Sequence, residues 1–251
     1  MKKIIIANWK CNPSTQAEAR LMLFGLKKEL GNFSKSDVVI CPPFVYINEV
    51  AKTIGAGIFL GAQNCLWENR GPFTGEISPK MLKDQKVKYV ILGHSERIIN
   101  FGETIEIIAK KLRAVLAAGL LPIVCLGESS EEKKQGKTFD AVESRLQTIF
   151  SKVSHNNFAK IIIAYEPYWA VGSKNNCSPD SALTMALFIR KKLNQWFGQK
   201  AGSSVRIIYG GSVDSQNAKD YFGNDIISGL LVGLASLDVK EFIKIVKSVG
   251  V

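Results

Sequence analysis

The stretch IIIAYEPYWAVGSKNN, residues 161 to 176, runs three isoleucines, an alanine and a tyrosine straight into Glu166, with no Lys, Arg or His beside it. A carboxylate at the end of a segment built to be buried is a candidate general base, because removing water from it strengthens it as a proton acceptor. Other chemically capable residues stand in the same position, at the ends of short apolar runs. Asn8 and Lys10 end IIIANWK, Gln63 and Asn64 follow IFLGA, His94 to Glu96 follow YVILG, Glu128 follows PIVCLG, Ser212 follows RIIYGG, and Gly233 closes GLLVG. An acid, an imidazole, a cation, an amide and glycine-rich loops in one pocket suit proton abstraction beside the carbonyl of a phosphorylated substrate. Singly each signal is weak: a lone histidine commonly serves as a hydrogen-bonded packing residue, Lys10 is one of 33 basic side chains, and a glycine marks a turn. Only a scaffold that gathers them gives the set meaning.

Eight apolar runs rich in Ile and Val supply that scaffold, at residues 4 to 9, 38 to 42, 58 to 63, 89 to 93, 122 to 127, 161 to 165, 206 to 211 and 229 to 233. Apolar runs without alternation are the pattern of parallel strands covered on both faces. Helical spacing lies between them: Ile105, Ile108, Leu112, Val115 and Leu116 share one face, and Gly119 supplies a stop. Ser178 before Pro179 and Ser78 before Pro79 read as caps ahead of a proline at the first helical position. Eight strand–helix units in 251 residues predict an α/β protein with a (β/α)8 barrel, a fold whose typical size is about 250 residues. A doubly wound open sheet is the rival, but it would want a glycine fingerprint after the first strand, where KCNPST stands instead. No linker-like shift in composition divides the chain, so residues 1 to 251 read as one catalytic domain. In such a barrel the strand ends converge on one face, where the polar residues above would meet.

Composition narrows the class. Hydrophobic residues make up 46% of the chain, the balance of a soluble globular protein. The apolar run after MKK is too short for a signal peptide, and no stretch approaches the ~20 apolar residues of a membrane span, so a cytoplasmic location without a membrane partner is expected. Five scattered cysteines without CxxC spacing predict neither a zinc site nor a disulfide framework and fit a reducing compartment. The 33 basic against 22 acidic residues give a net charge of +11. Several lysines fall in pairs on helix-like segments such as KKEL, AKKLRAVL and FIRKKLNQW, whose ordinary reading is a solvated face. No finger, RNP-like aromatic pattern or basic arm accompanies them, so nucleic acid is not expected as a partner.

The motifs also resemble a known family. ANWKCN, AQN…GPFTGEIS, GHSER, CLGE…GKT, AYEPYWAVGS, YGGSV and GLLVGLASL stand in the order and spacing of the triosephosphate isomerases, from residue 4 to beyond residue 240. The resemblance implies a TIM barrel without metal or organic cofactor, and a small phosphorylated triose as substrate. The implied reaction, shared by glycolysis and gluconeogenesis, interconverts dihydroxyacetone phosphate and D-glyceraldehyde 3-phosphate through an enediolate. By the same resemblance Glu166 is the base, a neutral His94 donates to the substrate oxygens, Lys10 is the cation for the developing oxyanion with Asn8 beside it, and Glu96 pairs with Lys10. Backbone at Gly172, Ser212, Gly233 and Leu234 grips phosphate. Residues 167 to 175 resemble a lid that Trp169 and Tyr209 help hold shut. Residues 64 to 78 resemble the loop, with Thr74 near its tip, that reaches into the partner of a twofold homodimer.

Several positions depart from the family pattern: Ile98 and Ser228 where an arginine and an aspartate are expected, Leu234 and Lys174 where glycines are expected, and Pro72 in place of alanine. Leu234 is expected to tilt the phosphate-gripping amide or crowd the lid, and Lys174 to stiffen or re-aim the lid hinge. Ile98 and Ser228 are expected to remove ion pairs that brace loops near the site, and Pro72 to rigidify the interface loop. Two other readings stay open at this point, a phosphate-binding barrel isomerase for another phosphosugar and a non-enzymatic binder of anions or nucleic acid.

Overall fold

The computed structural model describes residues 2–30, 33–55, 57–172, 176–222 and 225–248. Eight strands close into a barrel in chain order: β1 (Lys3–Asn8), β2 (Ser36–Cys41), β3 (Ile58–Ala62), β4 (Tyr89–Leu92), β5 (Leu121–Leu126), β6 (Ile162–Tyr165), β7 (Arg206–Tyr209) and β8 (Ile227–Val232). Every pairing is parallel, and β8 returns to β1 with Ile4 opposite Gly229 and Ala7 opposite Val232. Around the strands lie α1 (Gln16–Leu30), α2 (Ile47–Thr53), α3 (Pro79–Asp84), α4 (Ser95–Phe101), α5 (Ile105–Ala117), α6 (Ser130–Lys134), α7 (Thr138–Phe150), α8 (Pro179–Phe197), α9 (Gln199–Ser204) and α10 (Val239–Ser248). The fold is the (β/α)8 barrel that the eight runs predict. Among the described residues, the link from β7 to β8 carries only a 3-10 turn, Ala218–Phe222.

Helix ends follow the cap chemistry. The Ser78 and Ser178 hydroxyls accept from the N–H groups of Met81 and Ser181, each ahead of a proline in the first turn. Gly119, with φ of 72°, turns the chain out of α5 toward β5. Strand residues alternate between two layers. Ile4, Ile6, Val39, Cys41, Ile91, Ile123, Cys125, Ile162, Ala164, Ile208 and Leu231 fill the barrel interior, while Ile5, Ala7, Val38, Ile40, Val90, Val124 and Ile163 face the helices. The fit is tight enough that a Cβ on Gly61 would lie 2.4 Å from the Cys41 sulfur.

Two basic segments depart from the solvated-face expectation. Lys111, on α5, is 3% exposed because its ammonium is enclosed by Asn64 Oδ1 at 2.7 Å and by the Glu103 carboxylate. Glu103 also meets Arg97 Nε at 3.3 Å. Arg190, on α8, is half-buried. No helix among the described residues is long and apolar enough to cross a membrane, and all five cysteines are free thiols.

Candidate active site

The alternation that fills the barrel, carried to the end of each strand or one step past it, decides what lines its mouth. Ile4 and Ile6 point inward on β1, so Asn8 points inward next; Ile162 and Ala164 on β6 are followed by Glu166, Ile208 on β7 by Gly210, and Leu231 on β8 by Gly233. Asn8, Lys10, His94, Glu166, Gly172, Ser212, Gly233 and Leu234 border one cavity of about 680 Å³ at this C-terminal end. Glu96 is set apart from that wall, yet it holds Lys10, with Nζ 2.5 Å from Oε1.

Lys10 follows β1 with a φ of 53°, a left-handed conformation that costs a non-glycine residue energy and persists only where the surroundings fix it. They do so here. The Lys10 N–H donates to Asn8 Oδ1 at 3.1 Å, and its carbonyl accepts from Gln63 Nε2 at 2.8 Å. A Cβ on Gly233 would sit 3.1 Å from Lys10 Cε, so that glycine keeps room for the lysine stem.

Glu166 is fully buried. Its Oε2 accepts from the Ser95 N–H at 2.8 Å, at the start of α4, where a helix terminus favours negative charge. Its Oε1 lies 3.0 Å from His94 Nε2, but no group among the described residues donates to it with aligned hydrogen-bond geometry. Behind the carboxylate, a Cβ on Gly127 would lie 2.0 Å from the Glu166 carbonyl oxygen. Gly127→Ala is therefore expected to push the β6 end out of register, at a cost above about 3 kcal/mol, and to lose activity together with thermal stability. Thermal melts and turnover measured on one preparation check this; a stable, active variant would show that the contact is soft.

His94 caps α4, its Nδ1 accepting from the Glu96 N–H at 3.2 Å, which leaves the ring proton on Nε2, facing Glu166. Burial disfavours the imidazolium, but the charges of Glu166 and Glu96 outweigh it and hold the His94 pKa above its ordinary value in this arrangement. Glu166→Gln removes the larger of those charges. Burial and the helix terminus then dominate, and the His94 pKa is expected to fall. The sign also appears in stability: in the wild type the pair stabilises fully below about pH 6.5, and that contribution fades as pH rises through the raised value. In the variant the depressed histidine makes stability grow as pH rises toward 6.5. Imidazole NMR titration of both proteins reads the shift directly; an unchanged His94 would break the link to Glu166.

The segment after Glu166 is tied down at both of its described ends. Tyr168 N–H donates to the Glu128 carbonyl at 2.9 Å, Trp169 Nε1 to Glu128 Oε1 at 2.7 Å, and Lys133 lies 3.3 Å above the Trp169 ring centroid. Burial raises the Glu128 pKa against the lowering effect of the Trp169 hydrogen bond. Past the segment, Tyr209 OH accepts from the Cys177 N–H at 3.1 Å. Lys174 lies outside the described residues. The Leu234 side chain is 62% exposed at the lip of the cavity, and the turn it opens is intact, with Ser236 N–H donating to the Gly233 carbonyl at 2.8 Å. No acceptor among the described residues takes the N–H of Ser212, Gly233 or Leu234. Ile98 packs against the core. Ser228 corrects its expectation: it stands at the start of β8, at the end of the barrel opposite this cavity, and braces no loop here.

Residues 3–249 match the family model described as Triosephosphate isomerase. The chain belongs to the triosephosphate isomerase family. It is 44% identical over 249 residues to the Triosephosphate isomerase of Aquifex aeolicus, covering 99% of this chain and all of that one. It is 42% identical to that of Caldanaerobacter subterraneus subsp. tengcongensis and 44% identical to that of Carboxydothermus hydrogenoformans, with 98% of each chain covered in both pairs. Sequence reading of this triosephosphate isomerase barrel missed the Ser95 amide, although a first helical N–H behind a capping residue is a known donor. It also missed Lys111, whose placement three after Ile108 and four before Val115 puts it on the apolar face of α5.

Proposed function

We propose that the chain interconverts dihydroxyacetone phosphate and D-glyceraldehyde 3-phosphate by proton transfer through an enediolate. The observation that carries this reading is the convergence of Glu166, His94 and Lys10 on one cavity also lined by Gly172, Ser212, Gly233 and Leu234. The amides, with Lys10 nearby, take the phosphate, which places the carbonyl and hydroxyl oxygens between His94 Nε2 and Lys10 Nζ. Glu166, released from the Ser95 N–H, takes the proton from the carbon beside the carbonyl. Negative charge moves onto oxygen, where the lysine cation and the imidazole N–H stabilise it, and Asn8 holds the Lys10 backbone through its N–H. The protonated Glu166 returns the proton to the neighbouring carbon. Acid, electrophile and cation are all protein groups, so these steps call for no cofactor. A coupled assay on each triose phosphate tests the reading: turnover in both directions is expected, and a folded protein that is inert on both but turns over another phosphosugar would replace it.

The same reading makes the working unit a homodimer in the cytoplasm. In residues 64 to 78, Thr74 and Gly75 are exposed, and the Leu66 N–H donates to the Ile77 carbonyl at 2.8 Å, closing the segment into a loop. Val45, Met81, Ile99 and Phe101 are among the exposed apolar side chains that a second copy could cover. Asn64, at the root of the loop, is linked through Lys111 and Glu103 to Arg97 of α4, the helix His94 caps. Thr74→Arg is expected to give monomers with reduced turnover, read by sedimentation and assay together. A fully active monomer would separate the loop from catalysis.

A further inference from the structure

At the end of the barrel opposite the catalytic mouth lies a second cavity of about 360 Å³, lined by Lys3, Arg190, Asp225, Ile226 and Ser228. Arg190 reaches it from α8, and its Nη1 and Nη2 donate to the carbonyls of Gly202 and Val205, the latter at 2.7 Å. A guanidinium has five N–H groups, so three remain. No carboxylate among the described residues stands within 4 Å of it, and burial, with no opposite charge to offset it, pushes its pKa below the usual value.

The neighbours do not supply the missing charge. Ser228, where the family pattern expects an aspartate, faces the cavity from β8 and spends its hydroxyl on the Ile207 carbonyl at 3.1 Å. Lys3 adds a second cation, its Nζ donating to the Ile227 carbonyl at 3.0 Å. On the adjoining strands, Asp37 is engaged by Lys2 at 3.0 Å and Arg206 at 3.5 Å. Asp225 borders the cavity without reaching Arg190. A half-buried cation without a counter-charge is unfavourable, and an anion entering the cavity relieves it.

We propose that this cavity is an oxyanion site, in which a phosphate group binds Arg190 and Lys3 in place of the side-chain carboxylate that Ser228 lacks. A planar guanidinium offers paired donors to such an anion, and the lysine a point charge beside it. The site is separate from the catalytic mouth and does not depend on the activity proposed there.

The test is equilibrium dialysis of the full chain with labelled inorganic phosphate in chloride-free buffer, comparing wild type with Ser228→Asp, which supplies the carboxylate internally. Ser228→Asp is expected to bind one phosphate fewer per chain, to melt higher in phosphate-free buffer, and to lose the stabilisation that phosphate gives the wild type. Competitive inhibition of triose turnover by phosphate, which reports the catalytic mouth, should be the same in both. Lys3→Met should weaken the non-competing site about tenfold or more, and it decides the matter if Ser228→Asp does not fold. Equal stoichiometry in wild type and Ser228→Asp, unchanged affinity in Lys3→Met, or loss confined to the phosphate that competes with triose would overturn the proposal.

Discussion

Glu166→Gln is expected to lower kcat by about 10³- to 10⁴-fold while KM and, at pH values above the range in which His94 titrates, the melting temperature stay close to those of the wild type. The amide has the shape of the carboxylate, and its oxygen can still accept the Ser95 N–H that Oε2 accepts at 2.8 Å. What it loses is the ability to take a proton from carbon. Because Glu166 is fully buried and Gly127 packs against its carbonyl, the backbone has no freedom to bring another acid into its place. Steady-state kinetics with purified variant, beside a thermal melt, measures both halves of the expectation. Turnover near the wild-type level would remove Glu166 from the chemistry, and a collapse of stability would make the loss uninterpretable as catalysis.

Lys10→Met is expected to lower kcat/KM by about 10²- to 10³-fold, the usual effect of deleting one group that stabilises a developing oxyanion. Methionine keeps an unbranched stem in the space that Gly233 leaves open, so the packing change is small. The partner left behind, Glu96, has a 40% exposed side chain and stays hydrated, which limits the cost in stability. Lys10→Arg should not restore activity, because a planar guanidinium spreads its charge over a rigid fork and does not place a compact charge where the Lys10 ammonium meets Glu96 Oε1 at 2.5 Å. Full activity in Lys10→Arg would show that charge alone suffices there; full activity in Lys10→Met would remove the lysine from the site.

The parts of the site that the sequence makes legible are those fixed by a strand and its period. Glu166 is readable because Ile162 and Ala164 set the inward phase of β6, and Asn8 and Gly233 because β1 and β8 do the same. What is not legible depends on where elements sit relative to one another. Ser95 holds Glu166 through a backbone N–H, a group every residue has, so no residue type marks it. The missing aspartate at Ser228 is visible in the sequence, but only the start of β8 at Ile227 puts that position at the far end of the barrel, beside Arg190 rather than beside the lid. Lys111, in a basic pair, and Arg190, in the run RKK, both belong to segments that composition alone assigns to water. Their burial follows from tertiary partners, Glu103 and Asn64 for one and the Gly202 and Val205 carbonyls for the other.

The claim at the centre of this account is that a proton, passed through Glu166, moves between adjacent carbons of a triose phosphate. Proton NMR of the product formed in D2O tests it most directly. A proton held on a carboxylate can exchange with solvent before it is returned, so a fraction of the product should carry deuterium with the wild type, and the Glu166→Gln variant should neither form product nor exchange the substrate carbon-bound hydrogen at a comparable rate. Product formation and substrate exchange by Glu166→Gln at rates near those of the wild type would contradict the account, since the proton would then be moving without this carboxylate.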